Sequence, residues 1–154
     1  MGQNAPFEAL RAHRFTQGLT DSQLSALAAL AKSVSFEADE IVLAEAQRSQ
    51  NFYLLLSGSV AVELCALQYA VCVQSLGPGE AFGWSSLLAE HDTVFRVRAR
   101  ERTEALRLAG SALQDLCRHD PDLGTEFLTR TLNVVAGRVK ATELRFAEMC
   151  GFRV

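Results

Sequence analysis

The chain predicts an antiparallel β-barrel flanked by helices, mainly β in its middle and helical toward both ends. Three observations carry this. Between residues 34 and 109 the apolar residues come in short runs bounded by Gly, Pro or polar turns. Thr20-Asp-Ser-Gln23 reads as a capping box ahead of a helically spaced apolar run. Asp120-Pro-Asp122 opens a long stretch in which, beyond Gly124 near its start, Gly137 is the one breaker before Gly151.

The N-terminal segment, about residues 1–33, is expected to be helical. Thr20 and Gln23 cap its helix, and Leu19 is placed to staple onto Leu24. Leu24, Leu27, Ala28, Ala31 and Val34 follow helical spacing, so one face packs on the body. The barrel segment, 34–109, then reads as strands at 41–44, 52–56, 59–65, 69–76, 93–99 and 103–108. Closely spaced short strands of this kind argue a closed antiparallel sheet. In the C-terminal segment, 111–151, Ser111 with Gln114 opens a short helix through Cys117. Asp120 caps the next one, Pro121 suits its first turn and Asp122 complements its dipole.

That last helix carries the clearest periodicity in the chain. Leu128, Leu132, Val135, Val139, Thr142, Phe146 and Met149 alternate spacings of four and three, the seam of a coiled coil, and predict a homodimer through this helix. Leu123, Phe127, Val134, Ala141 and Leu144 form a second face suited to the barrel. The competing reading makes both stripes one broad core-facing surface. Gly137, costly in a helix interior, suggests close approach of another backbone.

Composition bounds the rest. A chain of 154 residues is expected to be a single domain, 1–154, without room for a separate effector. A net charge of −3 gives no general attraction to nucleic acid. With no long apolar run and no leader-like start, the expectation is a cytoplasmic protein away from membranes. The cysteines at 65, 72, 117 and 150 make no C-x-x-C pair, and the histidines at 13, 91 and 119 sit near none of them in ligand spacing, so neither metal nor cofactor is implied. The histidines read as surface or turn residues. Gly83-Trp-Ser-Ser-Leu87 lacks the last glycine of a nucleophile elbow, and no enzyme signature or catalytic residue is found.

Gly77-Pro-Gly-Glu-Ala-Phe-Gly-Trp-Ser-Ser-Leu-Leu88 resembles the phosphate-binding cassette of the cyclic-nucleotide-binding domain family, the effector domain of catabolite-activator-type regulators. Upstream, Phe36 to Gln47 and Phe52-Tyr-Leu-Leu-Leu-Ser-Gly-Ser-Val-Ala-Val62 are similar to that family's first strands, with Gly58 at its tight turn. Two further family glycines are replaced by Asp39 and Ala46, which implies turns of different shape. The resemblance implies a jelly-roll barrel followed by a trailing helix, which the seam above makes the dimerisation helix. It further implies a short helix whose amides hold a phosphate, an acid that binds the ribose hydroxyl, and a downstream Arg that pairs with the phosphate. Trp84 stands in the acid's place, and the Arg position falls on Thr93 or Val94. No helix-turn-helix follows the last helix, so DNA binding by this chain alone is not expected.

The candidate ligand pocket is therefore Gly79, Glu80, Phe82, Gly83, Trp84, Ser85, Ser86, Thr93, Val94 and Arg96. Arg96 is the one near substitute for the missing cation. Strand alternation favours the contrary arrangement, with Phe95, Val97 and Ala99 inward and Arg96, Arg98 and Arg100 on a solvated face open to a partner. Trp84 is expected to plug the barrel mouth; the alternative is that it lines an open pocket. Truncating one member of a buried charge pair costs about 2–5 kcal/mol, which would move a micromolar nucleotide site to roughly 30 μM or weaker. The sequence thus points to a stand-alone regulatory or ligand-sensing module with a degenerate cassette, not a typical cAMP or cGMP binder. The alternative is a pseudo-sensor with a closed pocket, acting as a dimeric protein-interaction scaffold.

Overall fold

A computed structural model describes residues 4–88 and 92–153. Helix α1 (Asn4–Ala12) and a 3-10 turn at Arg14–Thr16 precede α2 (Asp21–Leu30). The expected capping box is present on α2: Thr20 Oγ1 accepts from Gln23 N at 3.2 Å and Gln23 Oε1 accepts from Thr20 N at 3.0 Å. The helix ends at Leu30, so Val34 belongs instead to strand β1 (Lys32–Phe36), where it faces Ala105. The continuation of helical spacing through Val34 was coincidental; Lys-Ser-Val-Ser-Phe alternates as a strand does.

The remaining strands are β2 (Ile41–Leu43), β3 (Asn51–Ser57), β4 (Val60–Cys65), β5 (Ala70–Leu76), β6 (Ala81–Phe82), β7 (Phe95–Ala99) and β8 (Thr103–Ala109). They form two antiparallel four-stranded sheets, ordered β1-β8-β3-β6 and β2-β7-β4-β5. The sheets meet over Tyr53, Leu55, Val60, Val62, Leu76, Phe82, Val97 and Ala105. On the other side of β3 and β8, Phe52, Leu54, Leu106 and Leu108 form a second core with α1, α2 and the C-terminal helices. The turns expected to change shape at Asp39 and Ala46 keep the conformation a glycine would take, with φ of 70° and 56°. Each amide is held there by a carbonyl of the neighbouring β7 segment, Ala99 and Thr93 respectively.

Helix α3 (Gly110–His119) begins one residue before Ser111, and the Ser111 side chain does not cap it. Its Gln114 reaches out to donate to the Leu87 carbonyl at 2.6 Å. Asp120 does cap α4 (Pro121–Met149), accepting from Leu123 N at 3.1 Å. The face of α4 on the barrel runs through Leu123, Phe127, Thr131, Val134 and Arg138. The heptad stripe lies to one side of it: Leu128, Leu132, Val139, Thr142, Phe146 and Met149 are exposed and Val135 half-buried. The two stripes are separate faces within this chain. Gly137 lies on the far side from the stripe, where an added Cβ would meet nothing within 4 Å. Close approach to a backbone of its own chain is therefore not its reason.

His13 departs from the surface reading. It is buried, its Nδ1 accepts from Phe15 N at 3.1 Å, and its Nε2 donates to the Leu55 carbonyl at 2.8 Å, which ties the N-terminal helices to β3. Burial holds its pKa below the usual imidazole range.

Candidate functional site

The cassette is assembled around the end of β3. Gly79 N donates to the Leu55 carbonyl and Leu55 N to the Glu80 carbonyl, so the turn after β5 is tied to that strand. Glu80 closes the turn on itself, accepting from Gly77 N at 2.7 Å. β6 pairs Phe82 with Tyr53, and the chain then reverses at Gly83, with φ 81°. Only glycine suits this position: besides the left-handed backbone, a Cβ would fall on the Asn51 carbonyl oxygen. The short helix implied by the family resemblance is a single 3-10 turn, Trp84–Leu87, fastened by Ser86 Oγ donating to the Gly83 carbonyl at 2.7 Å.

Beside this turn lies a cavity of about 350 Å³. Its apolar walls are Leu43, Trp84, Leu88, Val94, Phe95 and Val97; its polar groups come from Gly83, Ser85, Asp92, Thr93 and Arg138. Residues 89–91, between Leu88 and Asp92, fall outside the described part of the chain. The indole of Trp84 is half-buried and forms a wall, leaving the space beside it open, so the expected plug is not formed. Thr93 Oγ1 is engaged locally, donating to the Phe95 carbonyl and accepting from Phe95 N.

Of the residues singled out from sequence, this cavity brings together Gly83, Trp84, Ser85, Thr93 and Val94. Gly79 and Glu80 line a different cavity of about 330 Å³, together with Arg14, Arg130 and Gly137. Phe82 is fully buried and stacks on Tyr53, ring centres 4.8 Å apart. Ser86 holds the turn. Arg96 must be removed from the pocket: it points to the opposite face of the sheet, where Nε and Nη2 donate to Glu63 at 3.0 and 2.7 Å. Arg98 grips the other oxygen of Glu63 and also Asp39, Arg100 donates to Ser75, and Arg102 pairs with Glu37. Of the row read as a solvated face, Arg96 and Arg98 are engaged on one buried carboxylate, while Arg100 is exposed. Hydrogen bonds from Arg98, then Arg96, hold the Glu63 pKa below the usual carboxylate range despite burial.

The cation that does reach the cavity is Arg138, from α4. It is 7% exposed. Its Nε donates to Gln74 Oε1 on β5 at 2.7 Å, and its guanidinium lies 5.6 Å from the centre of the Phe95 ring. Among the described residues no carboxylate pairs with it. Burial alone pushes its pKa down to about 10, so it stays charged at neutral pH. Arg138 also borders an open apolar groove of about 590 Å³ formed with Trp84, Phe95, Val135, Val139, Thr142, Glu143 and Phe146. Sequence reasoning missed this residue because the barrel face of α4 was traced through its apolar members alone. The signal was its spacing: Phe127, Thr131, Val134 and Arg138 step by four, three and four.

With this geometry in view, a model of the cyclic nucleotide-binding domain matches residues 33–120. The chain belongs to that family. Among solved structures, a putative cyclic nucleotide-binding protein from Geobacter metallireducens GS-15 is 29% identical, with a TM-score of 0.75, covering 88% of this chain and 98% of that one. A cyclic nucleotide-binding domain from Methylobacillus flagellatus KT is 19% identical, with a TM-score of 0.77 and coverage of 94% and 82%. The regulatory subunit of a cAMP-independent protein kinase A from Trypanosoma brucei is 19% identical at a TM-score of 0.73. This chain is covered to 96% in that match and spans about half of that protein, 51%. A mutant of the same regulatory subunit, with a glutamate and a valine changed to alanine and a threonine changed to arginine, is bound to cAMP. No curated protein matches the chain. Among the described residues no helix is long and apolar enough to cross a membrane.

Proposed function

We propose that this chain is a regulatory, ligand-sensing module with a cavity unsuited to cAMP or cGMP, with no catalytic step of its own, acting as a homodimer through α4. One observation carries the reading: the cavity beside the cassette is open, yet its wall holds Trp84, where the resemblance places an acid, and Thr93 and Val94, on one of which it places an arginine. A cyclic phosphate set against Thr93 gains no charge-assisted pair from the cassette. The Trypanosoma brucei subunit supports this reading. It is the regulatory subunit of a cAMP-independent kinase, and its cAMP-bound mutant changes consecutive threonine and valine residues to arginine and alanine. Thr93-Val94 is the same pair of residues in the same order. The open cavity favours sensing over a closed-pocket scaffold.

Calorimetry with millimolar cAMP and cGMP is expected to show little heat, whereas a low-micromolar dissociation constant would reject the reading. Thr93→Arg combined with Trp84→Glu restores both family ligands and is expected to create measurable cyclic-nucleotide affinity. For the dimer, the supporting fact is the exposure of Leu132 at 65% and Phe146 at 68% along one stripe. Val135→Glu with Val139→Glu sets like charges into that seam, and sedimentation should then give monomers. A dimer that survives both changes would exclude this interface.

A further inference from the structure

A buried guanidinium without a carboxylate is costly. Removing an ion from water carries a penalty of several kcal/mol, normally offset by an opposite charge. Among the described residues Arg138 has only the Gln74 amide oxygen and the Phe95 ring face. Among the described residues its Nη atoms make no hydrogen bond, and Arg138 lines both the cavity and the apolar groove. Arg138 therefore keeps donors available at the cavity, in the planar arrangement that suits a carboxylate.

The other walls narrow the choice of anion. Leu43, Trp84, Leu88, Phe95 and Val97 suit a hydrocarbon or aromatic body and offer nothing to a second charge. Asp92 borders the same cavity and disfavours a dianion. Ser85, buried at the start of the 3-10 turn, adds one hydroxyl. We propose that the cavity binds a small organic carboxylate, with the carboxylate on Arg138 and its apolar body between Trp84 and Phe95. This rests on the ligand-sensing reading above and names the ligand class. The charge that recognises the ligand comes from the helix packed on the barrel and not from the cassette.

Trp84 is the one tryptophan of the chain, so its fluorescence reports directly on the cavity. The test titrates the intact protein with phenylacetate and hexanoate, with their uncharged isosteres phenylacetamide and hexanamide, and with inorganic phosphate. At least one acid is expected to bind about ten-fold or more tightly than its amide, and inorganic phosphate more weakly than that acid. Arg138→Met should make acid and amide equal, and Arg138→Lys should keep part of the preference. Equal binding of acids and amides to the unchanged protein would overturn the carboxylate assignment and leave the sensing reading standing. Tighter binding of inorganic phosphate would overturn the organic body. No saturable response to any probe would overturn both.

Discussion

The barrel holds arginine in two contrasting ways. On the outer face of β7, Arg96 and Arg98 converge on Glu63, one oxygen each, at 2.7 and 2.5 Å. Under α4, Arg138 is more deeply buried than either, yet its polar partner is a neutral amide. A buried carboxylate shared by two half-exposed guanidinium groups is a completed arrangement that joins β4 to β7 and, through Asp39, to the β2 edge. A buried guanidinium beside an open cavity is an incomplete one. The comparison teaches that the number of arginines along a strand says little about recognition; what matters is which of them lacks its opposite charge.

The largest expected effect breaks the completed side. Glu63→Gln leaves two guanidinium groups without their shared carboxylate and should cost about 3 kcal/mol in urea unfolding. Because the folded pKa of Glu63 is depressed, its contribution is present above the ordinary carboxylate range and is lost as pH falls through the lowered value. His13 acts on the same side of neutrality but earlier. Its folded pKa is also lowered, so stability should begin to fall as pH drops through the usual imidazole range. Unfolding measured from neutral pH downward should thus show two declines, of which Glu63→Gln removes only the more acidic one. A smaller effect sharpens the description of α4. An added Cβ at Gly137 would meet nothing within 4 Å, so Gly137→Ala should stabilise by up to ~1 kcal/mol without changing the mass of the assembly. Loss of self-association in that variant would mean that another backbone crosses there.

Much of the fold was legible in the sequence because its signals are local. The capping box at Thr20, the Asp120-Pro121 start of α4 and the turn-bounded apolar runs of β3, β4 and β8 each depend on neighbours a few residues away. Strand β6 was not legible, since two residues carry no period, and β1 was hidden behind a helical spacing that ran on to Val34. The turns at Asp39 and Ala46 retained their conformation although the residues changed, because hydrogen bonds to the β7 segment hold them. The site was legible only in part. Gly83, Trp84, Ser85, Thr93 and Val94 are close in sequence and came together. Glu80 and Arg96 are equally close but face elsewhere, and Arg138 is distant, placed only by how α4 lies on the barrel. Contacts of that kind depend on packing, which a one-dimensional pattern does not contain.

The most direct measurement of the central claim, that Arg138 is a buried cation awaiting an anion, is the unfolding free energy of ligand-free Arg138→Met beside the unchanged protein. If the guanidinium is uncompensated, an apolar side chain of similar length should stabilise the free domain by about 1–2 kcal/mol. A loss of about 3 kcal/mol or more would show instead that Arg138 is already satisfied within the fold, and would contradict the account.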